Sequence, residues 1–530
     1  MQRLNKRTYL FFALVAAAGA VLIYTIALAF SVRPGHDQSW YLYAAQQMLS
    51  GVKLYGPHLS ETNPPAILWF STIPVLLANL VSVSPTLMLR LIVTAMACGS
   101  AAWSVRVLRI QNGQERSFGT AELILLGIAL AGGALGIESP DFAQREQLMV
   151  ILTLPYIVTA ANLSARKLSL AEYCGIGALG GLGICFKPQQ VLAIVALEVC
   201  LLIYSRNLRR LIRPELLALA AVGGLYLLLI RLAAPLYLQE TVPQLLQTYW
   251  AFGKSTAFDL AVHDQRHFTF SLALVLGGCF ILRRSLRYSL VAFAFAVCSI
   301  GASIAFDIQH TGWTYQAFPK KAFFFLAFAL LALDVLYPYL KRWAEGINPA
   351  PAIMATTIAL LMAWQGAETV HERSLRRLPP EQIYLAPLLA HYAPQTTVYV
   401  FSTALPAFSE VYSHHLLWGS RFGHLWRLPA IVLNQPGIAY HEKTFKPLPP
   451  EVLKYLEALQ RKESAEDLNY WHPPVVMVER CTDRHYCGFL EGHPFDFLAW
   501  FLQSPAFAAE WSHYRQQPGN DAFDVYTRVP

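Results

Sequence analysis

The chain has 530 residues, of which 55% are hydrophobic and only 14% are charged. Because a soluble domain carries about 25% charged residues, this composition excludes a soluble globular protein and indicates a polytopic membrane protein. The formal net charge of +8 does not point to nucleic-acid binding, because Lys and Arg gather in the cytoplasmic loops of membrane proteins.

The first hydrophobic segment, Tyr9 to Phe30, follows a basic N-terminal stretch. Its small-residue run AAAGA leaves a cleaved signal peptide as the alternative. The segment is, however, longer than the apolar region of a signal peptide and long enough to span a bilayer. We therefore predict an uncleaved first helix whose N-terminus is cytoplasmic.

Later hydrophobic segments alternate with two kinds of loop. Every second loop carries a basic cluster, and the positive-inside tendency places these clusters in the cytoplasm. Segment 65–82 breaks the alternation, and its prolines favour an element that lies partly in the interface or dips in and returns. The sequence thus predicts about 11–12 transmembrane helices. The later segments are 65–82, 86–106, 119–137, 147–163, 169–186, 189–205, 215–233, 269–282, 286–305, 321–339 and 350–366.

The same alternation places most polar segments on the outer side, at 31–65, 138–146, 187–190, 234–268, 306–319 and beyond about 367. In the last of these, QTTVYVFST and PPVVMVE are typical of buried strands and PEVLKYLEALQRKE of an amphipathic helix. We expect a transmembrane domain over residues 1–366 and a small extracytoplasmic α/β domain over residues 367–530.

Cys481 and Cys487 stand six residues apart in this outer region. That separation suits a small disulfide loop in an oxidising compartment. The other cysteines lie in hydrophobic segments, and the sequence contains no zinc pattern such as paired CxxC motifs or HExxH. We therefore expect a disulfide between Cys481 and Cys487.

The first outer loop carries an acidic residue, Asp37, directly after the first hydrophobic segment. One interpretation is an N-cap for the helix that follows, with Trp40, Tyr41 and Tyr43 as interfacial aromatic anchors. The other is a carboxylate held over a cavity at the membrane surface, where it acts as a general base. The two interpretations are compatible.

A second polar loop, ESPDFAQREQLM, offers Asp141, Arg145 and Glu146. Asp141 with Gln144 resembles a capping box for the next helix. The charges exceed what capping needs, so Arg145 is a candidate for binding a phosphate. Asp141 or Glu146 is a candidate second acid or a ligand for a sugar hydroxyl.

The remaining outer loops contribute further candidates. Lys187 is either a snorkelling lysine at a helix end or a cation for a lipid phosphate. The loop FDLAVHDQRHF places His263 and His267 near each other, and a polar lid over a cavity is favoured there over a metal site. The stretch FDIQHTGWTYQAFPKK adds a group of polar and basic residues before a membrane helix: Asp307, His310, Trp313, Tyr315, Lys320 and Lys321.

This layout resembles the GT-C superfamily of membrane glycosyltransferases, and within it the protein O-mannosyltransferase and aminoarabinose (lipid A) transferase group. The resemblance rests on Asp37, the helix Ser39–Leu49, the run Asn63-Pro64-Pro65, the second acidic loop around Asp141, and the outer domain after the last helix. The pair His36-Asp37 and Asn63 before the prolines differ from the usual family residues. These departures leave the sugar and the acceptor open.

The resemblance implies inverting transfer of a sugar from a polyprenyl-phosphate carrier to an acceptor hydroxyl outside the cytoplasm. It implies Asp37 as the base and requires neither a metal nor another cofactor, and we count Asp141 and Glu146 with Asp37 as candidate catalytic residues. The partners would be the lipid bilayer, the lipid-linked sugar and an envelope acceptor in an inner membrane. The candidate phosphate ligands are Arg145, Lys187, Lys320 and Lys321, and the candidate cavity residues are His36, Tyr41, His263, His267, His310 and Tyr315.

Other classes remain open. A transporter or flippase for a lipid-linked substrate would use as many helices, but should show repeated halves and charges at mid-membrane. A lipid-linked glycan ligase would differ in its donor. A non-catalytic envelope scaffold would use the outer domain to bind a partner.

Overall fold

A computed structural model describes residues 33–111, 120–136, 141–161, 168–253, 255–281, 289–343, 380–436, 445–482, 487–490 and 492–529, together with residue 438 and scattered positions between 13 and 31. Predicted segment 350–366 lies outside these residues, and most of Tyr9–Phe30 does so too. In the described part the chain is mainly helical and carries one five-stranded sheet.

The helices follow the predicted hydrophobic segments closely. Four of those described are long and apolar enough to cross a membrane, at Pro85–Ile110, Pro188–Ser205, Pro214–Ala233 and Leu290–Gln309. The predicted class, a polytopic helical protein with a C-terminal α/β domain, is confirmed. The helices are α1 His36–Leu49, α2 Pro65–Val81, α3 Pro85–Gln111, α4 Thr120–Leu135, α5 Arg145–Ala161, α6 Leu170–Phe186, α7 Val191–Ser205, α8 Pro214–Ala233, α9 Val242–Thr248, α10 Ala257–Asp259, α11 Arg266–Ile281, α12 Ser289–Gln309, α13 Phe318–Trp343, α14 Pro380–Leu389, α15 Pro406–Ser413, α16 Leu428–Leu433, α17 Pro450–Trp471, α18 Phe497–Phe501 and α19 Pro505–Trp511.

Segment 65–82 forms one continuous helix of 17 residues, α2, with Pro74 inside it. Pro65 stands at its first position, where a proline costs no helical hydrogen bond. The prediction that this segment dips in and returns is therefore wrong, while its position in the interface stays a prediction.

The chain forms two compact units. The first comprises Met1–Val32, Leu87–Leu228 and Ala257–Ser374, and the second comprises Arg33–Thr86, Leu229–Thr256 and Leu375–Pro530. This division differs from the boundary expected at residue 366, because the first outer loop and a stretch near residue 240 group with the C-terminal region.

Helix α5 is the buried centre of the first unit, since every residue from Arg145 to Ala161 is buried. Glycines let the surrounding helices approach closely. A Cβ on Gly301 of α12 would lie 2.3 Å from the Leu192 carbonyl oxygen, and one on Gly177 of α6 would lie 2.0 Å from that of Glu215. Such close backbone contact is how membrane helices associate.

The second unit is built on a mixed sheet with the strand order β2-β1-β3-β5-β4. β1 pairs in parallel with β2 and β3, whereas β5 is antiparallel to β3 and β4. β1 and β3 fall in the two stretches predicted as strands, and their residues are nearly all buried. The strands are β1 Thr397–Phe401, β2 Leu417–Trp418, β3 Val475–Glu479, β4 Tyr514–Gln517 and β5 Phe523–Arg528.

Helix α1 packs into this second unit. Its residues from Gln38 to Ala45 are all buried, and the Trp40 ring makes an edge contact with Phe408, their centroids 4.9 Å apart. A Cβ on Gly423 would come within 2.9 Å of the Trp40 indole. The prediction of interfacial aromatic anchors is therefore wrong, because Trp40, Tyr41 and Tyr43 are core residues.

A buried ion pair fastens helix α17 to the loop after β2. Arg421 Nε lies 2.7 Å from Asp467 Oδ1, and the side chains are 5% and 0% exposed. The Asp467 carboxylate also accepts hydrogen bonds from Ser420 Oγ and the Arg421 amide at 2.9 and 3.0 Å. The Arg421 carbonyl in turn accepts from the Ser60 amide at 2.8 Å, which ties the first outer loop to this network.

We expect Arg421→Met to destabilise the protein by about 3–5 kcal/mol, because removing one partner leaves the other charge buried and unpaired. Thermal unfolding of the purified protein measures this loss. Adding Asp467→Leu should restore much of it, since an apolar pair of similar volume avoids the uncompensated charge. If the double variant unfolds as early as the single one, the buried charge is not the cause.

Candidate active site

Asp37 lies in the first turn of α1, which begins one residue earlier at His36. The N-cap position belongs to Gly35, and no side chain caps the helix there. The N-cap interpretation of Asp37 is therefore wrong, although a carboxylate in the first turn still interacts favourably with the helix dipole. Asp37 itself is half-buried, and the buried residues that follow it fix this turn of the helix.

His36 belongs to an aromatic cluster within the second unit. Its ring centroid lies 5.3 Å from that of His424 and 5.9 Å from that of Phe408. The centroid of the Phe252 ring lies 6.1 Å from that of His424. His424 was not predicted, because nothing in the local sequence connects it with the first outer loop. Tyr41, the other cavity candidate of this loop, is 2% exposed and sits in the core.

We expect stability to fall on acidification, because of this histidine pair. Burial lowers the pKa of His36 although Asp37 opposes it, and burial together with His36 lowers the pKa of His424 well below its ordinary value. Because the unfolded chain then takes up protons first, the stability present above pH ~6.5 is lost as the pH falls through that value. Between neutral pH and pH ~5.5 the His424→Asn variant should lose less stability than wild type does, as measured by thermal unfolding. An equal loss of stability in both proteins would contradict the role of the pair.

Glu61 organises the end of the first outer loop and was missed by sequence reasoning. It is 3% exposed and accepts hydrogen bonds from the Asn63 amide and side chain at 2.6 and 2.7 Å. The Trp40 indole N–H donates to the same carboxylate. The sequence does show an acidic residue two positions before Asn63-Pro64-Pro65, and that spacing was the available signal. The structure shows that this residue is buried and fixes the chain just before α2.

The second polar loop forms a turn before α5. The Gln144 amide donates to the Asp141 carbonyl at 3.2 Å, and the helix begins only at Arg145. The capping box with Asp141 is therefore wrong. Ala143 adopts a left-handed conformation with φ of 68°, and its amide donates to Gln147 Oε1 at 2.7 Å. Gln147, one turn into the helix, thus holds the loop.

Glu146 and Lys187 form a buried ion pair in the first unit. Lys187 Nζ lies 2.6 Å from Glu146 Oε1, and the side chains are 4% and 0% exposed. Arg145 next to them is buried too. The structure therefore brings together candidate residues from two predicted outer loops.

Gln190 adds an unusual polar group three residues after Lys187. The backbone N–H of Gln190 donates to the Lys187 carbonyl at 2.9 Å within a tight turn. The side chain is completely buried, and within the described residues neither its Oε1 nor its Nε2 makes a hydrogen bond. An unsatisfied buried polar group costs about 1–3 kcal/mol, so this side chain has unused capacity for a ligand.

Further contacts connect residues from the predicted outer segments at one end of the first unit. Gln189 Nε2 lies 3.3 Å from Gln309 Oε1, and Lys320 Nζ donates to Gln265 Oε1. With the Glu146–Lys187 pair, these contacts connect residues of segments 138–146, 187–190 and 306–319. They also place Gln265, in the part of 234–268 that belongs to the first unit, beside Lys320, the residue that follows 306–319. The positive-inside pattern assigned these segments to one side, and their residues that make these contacts do lie at one end of the helices of the first unit.

Lys320 lies in an aromatic surrounding. Its Nζ sits 3.7 Å from the centroid of the Phe306 ring and 5.3 Å from that of Phe268, and the residue is 2% exposed. This geometry is a cation–π arrangement. Lys321, the next residue, is half-buried.

The other predicted cavity residues also lie in the first unit. His263 belongs to a π-helical turn, Leu260–Asp264, and His267 is exposed, with Arg266 Nε donating to its Nε2 at 3.4 Å. His310 follows α12 with a positive φ of 60°, and the Tyr315 ring lies 5.8 Å from that of Trp313.

Cys481 and Cys487 are joined by a disulfide, with their Cα atoms 5.5 Å apart. Glu479 brings a carboxylate oxygen within 4.8 Å of both sulfur atoms. Because each sulfur is bonded to the other, these residues do not offer thiolate ligands to a metal in this state.

The described architecture defines a class of protein, that of helical membrane proteins with a small C-terminal α/β domain. Among solved structures the chain is similar to the crystal structure of ArnT from Cupriavidus metallidurans bound to undecaprenyl phosphate, with a TM-score of 0.51 and 13% sequence identity over 98% of both chains. No protein-family model matches the sequence, and no curated protein sequence matches it. The resemblance to the aminoarabinose transferase group is thus confirmed at the level of the fold.

Proposed function

We propose that this protein transfers a sugar from a polyprenyl-phosphate-linked donor to a hydroxyl group of an acceptor in the cell envelope. The observation that carries the proposal is the similarity over nearly the full length of both chains to a protein solved with undecaprenyl phosphate. A fold hosts many functions, so the residues of the site must supply the chemistry.

The reaction needs a base for the acceptor hydroxyl, and Asp37 is our candidate. The acceptor oxygen forms a bond to the anomeric carbon while the bond from that carbon to the phosphate oxygen breaks. The proton passes to the Asp37 carboxylate, and the carrier lipid leaves as a phosphate anion. General-base catalysis of this kind contributes about 10²–10⁴-fold in rate. Attack opposite the leaving group inverts the anomeric centre.

The departing phosphate needs positive charge, and Arg145 and Lys187 are our candidates because Arg and Lys are the usual phosphate ligands. Glu146 is paired with Lys187 and fully buried. We therefore assign it to positioning this lysine rather than to contact with substrate. Asp141, in the turn just before, is the candidate for a sugar hydroxyl.

For Lys320 and Lys321 the placement argues for different roles. The ammonium group of Lys320 is buried against Phe306, where it supports helix packing. Lys321 is half-buried and is our choice as the additional phosphate ligand. The site would lie on the extracytoplasmic side of an inner membrane, with the N-terminus in the cytoplasm.

Comparison of host strains tests the proposed function. A strain lacking this protein should accumulate a polyprenyl-phosphate-linked sugar and lose one sugar substituent from its envelope, both measured by mass spectrometry of extracted lipids and glycans. Wild-type protein should restore both quantities, and Asp37→Asn should restore neither. Unchanged lipid-linked sugars and glycans in the deletion strain would refute the proposal.

A further inference from the structure

A groove with several polar side chains on a largely apolar lining lies within the second unit. It is formed by two short stretches that are distant from Asp37 in sequence. It has a volume of about 270 Å³ and is lined by Gln239, Glu240, Pro243, Gln244, Gln247, Glu451, Val452 and Tyr455. One wall is the stretch before and within α9, and the other is the first turns of α17. Neither stretch contributes to the mechanism above.

The lining is rich in groups that bind hydroxyls. Three glutamines and two glutamates supply amide donors and carbonyl or carboxylate acceptors. Within the described residues, the side chains of Gln239, Glu240, Gln247 and Glu451 make no hydrogen bond or ion pair, so all of these groups are available to a ligand. Among the residues that the structure describes, no basic side chain lines the groove, which disfavours a phosphate or another anion.

Tyr455 adds an aromatic surface and is 59% exposed. A tyrosine offers an apolar ring face with a polar tip. That combination suits a sugar ring, which has an apolar C–H face and hydroxyl groups around its edge. The volume lies near the lower limit of ~300–1,000 Å³ for small-molecule sites, so the groove suits a sugar rather than a lipid chain.

Buried hydrogen bonds hold one of the residues that line the groove, Gln244, in place. Arg427, 1% exposed, donates to Gln244 Oε1 at 3.1 Å and to Gln460 Oε1 at 3.2 Å. Because the Gln244 oxygen is occupied, its amide nitrogen is left to act as a donor. Glu240 lies in a π-helical turn, Tyr237–Thr241, a local distortion that is frequent at functional sites.

We propose that this groove binds a neutral or amine-bearing saccharide, as a subsite for the sugar part of the acceptor. The acceptor role rests on the proposed function, whereas saccharide binding does not. The two carboxylates of Glu240 and Glu451 would hold hydroxyl or ammonium groups, and Tyr455 would stack against the ring.

Ligand-observed NMR on the full chain in nanodiscs, prepared without sugar-based detergents, tests the inference. The probes are methyl β-glucoside, glucosamine and glucose 6-phosphate. We expect saturation transfer to the first two and little to the phosphate. Tyr455→Ala should weaken binding about 5- to 150-fold, which corresponds to ~1–3 kcal/mol for the loss of an aromatic stacking surface. Glu240→Gln should weaken glucosamine more than the neutral glucoside.

The control is Tyr470→Ala, because Tyr470 lies in the same helix, α17, is similarly exposed at 53% and does not line the groove. It should bind all probes as wild type does. Absence of binding by every probe, equal binding of the phosphate, or unchanged binding in Tyr455→Ala and Glu240→Gln would each overturn the inference. Because the strain comparison above does not depend on these variants, either proposal can fail while the other stands.

Discussion

Asp37→Asn is expected to reduce sugar transfer by about 10²–10⁴-fold, the range that a general base contributes, while leaving the fold intact. The amide has nearly the same shape as the carboxylate but cannot accept the acceptor proton. Residues Gln38–Ala45 are buried and fix the position of this helix turn. Loss of the favourable dipole interaction at the helix start costs only about 0.3–1 kcal/mol. Transfer is measured as release of the carrier lipid phosphate by membranes that contain the protein.

Two further variants sharpen this test. Asp37→Glu keeps the charge but moves the carboxylate, so it should retain more activity than the asparagine variant. Asp521→Asn removes an exposed acidic group from the loop before β5 and should leave transfer unchanged. If Asp37→Asn transfers at close to the wild-type rate and unfolds at the wild-type temperature, Asp37 is not the base.

Hydrophobic segments and charge alternation predicted most of the helices, because apolar length is a local property that a bilayer enforces. Segment 286–305 became Ser289–Gln309 and segment 215–233 became Pro214–Ala233. The same alternation predicted that segments 187–190 and 306–319 share one end of the helices, as the Gln189–Gln309 contact shows.

Local sequence patterns could not reveal which distant residues pack against helix α1. The aromatic residues of α1 suggested a helix lying in the interface, yet Trp40 is covered by Phe408 and Gly423. Those residues lie more than 300 positions later in the chain. Burial by a distant segment leaves no trace in the periodicity of the helix itself, and the same reason concealed His424.

Capping was misjudged for a different reason. Asp37 and Asp141 are both typical N-cap residues, but helices begin where the backbone allows, at His36 and Arg145. The two aspartates indicated approximately where each helix starts, but not which residue occupies the N-cap position. The clustering of charge in the second loop was correctly noted, whereas the pairing of Glu146 with Lys187 depended on how α5 packs against α6.

That pairing leads to the second large effect. We expect Glu146→Gln or Lys187→Met alone to destabilise the protein by about 3–5 kcal/mol, because each leaves one buried charge without its partner. The double variant should recover most of this stability, since it places no charge in the buried site. Thermal unfolding in nanodiscs measures the three variants against wild type.

Activity in the stable double variant separates the possible roles of the pair. If Lys187 binds the donor phosphate, transfer should stay about 10²–10³-fold below wild type, the usual cost of removing one group that stabilises developing negative charge. If the pair only supports the fold, transfer should return together with stability.

The control is the double variant Arg106→Gln with Glu172→Gln, which removes an ion pair of 2.9 Å whose arginine is 59% exposed. Both stability and transfer should remain nearly unchanged, because exposed pairs contribute about 0–1 kcal/mol. Recovery of transfer in the Glu146/Lys187 double variant would therefore leave Arg145 and Lys321 as the phosphate ligands, because the charge of Lys187 would then serve only to neutralise Glu146.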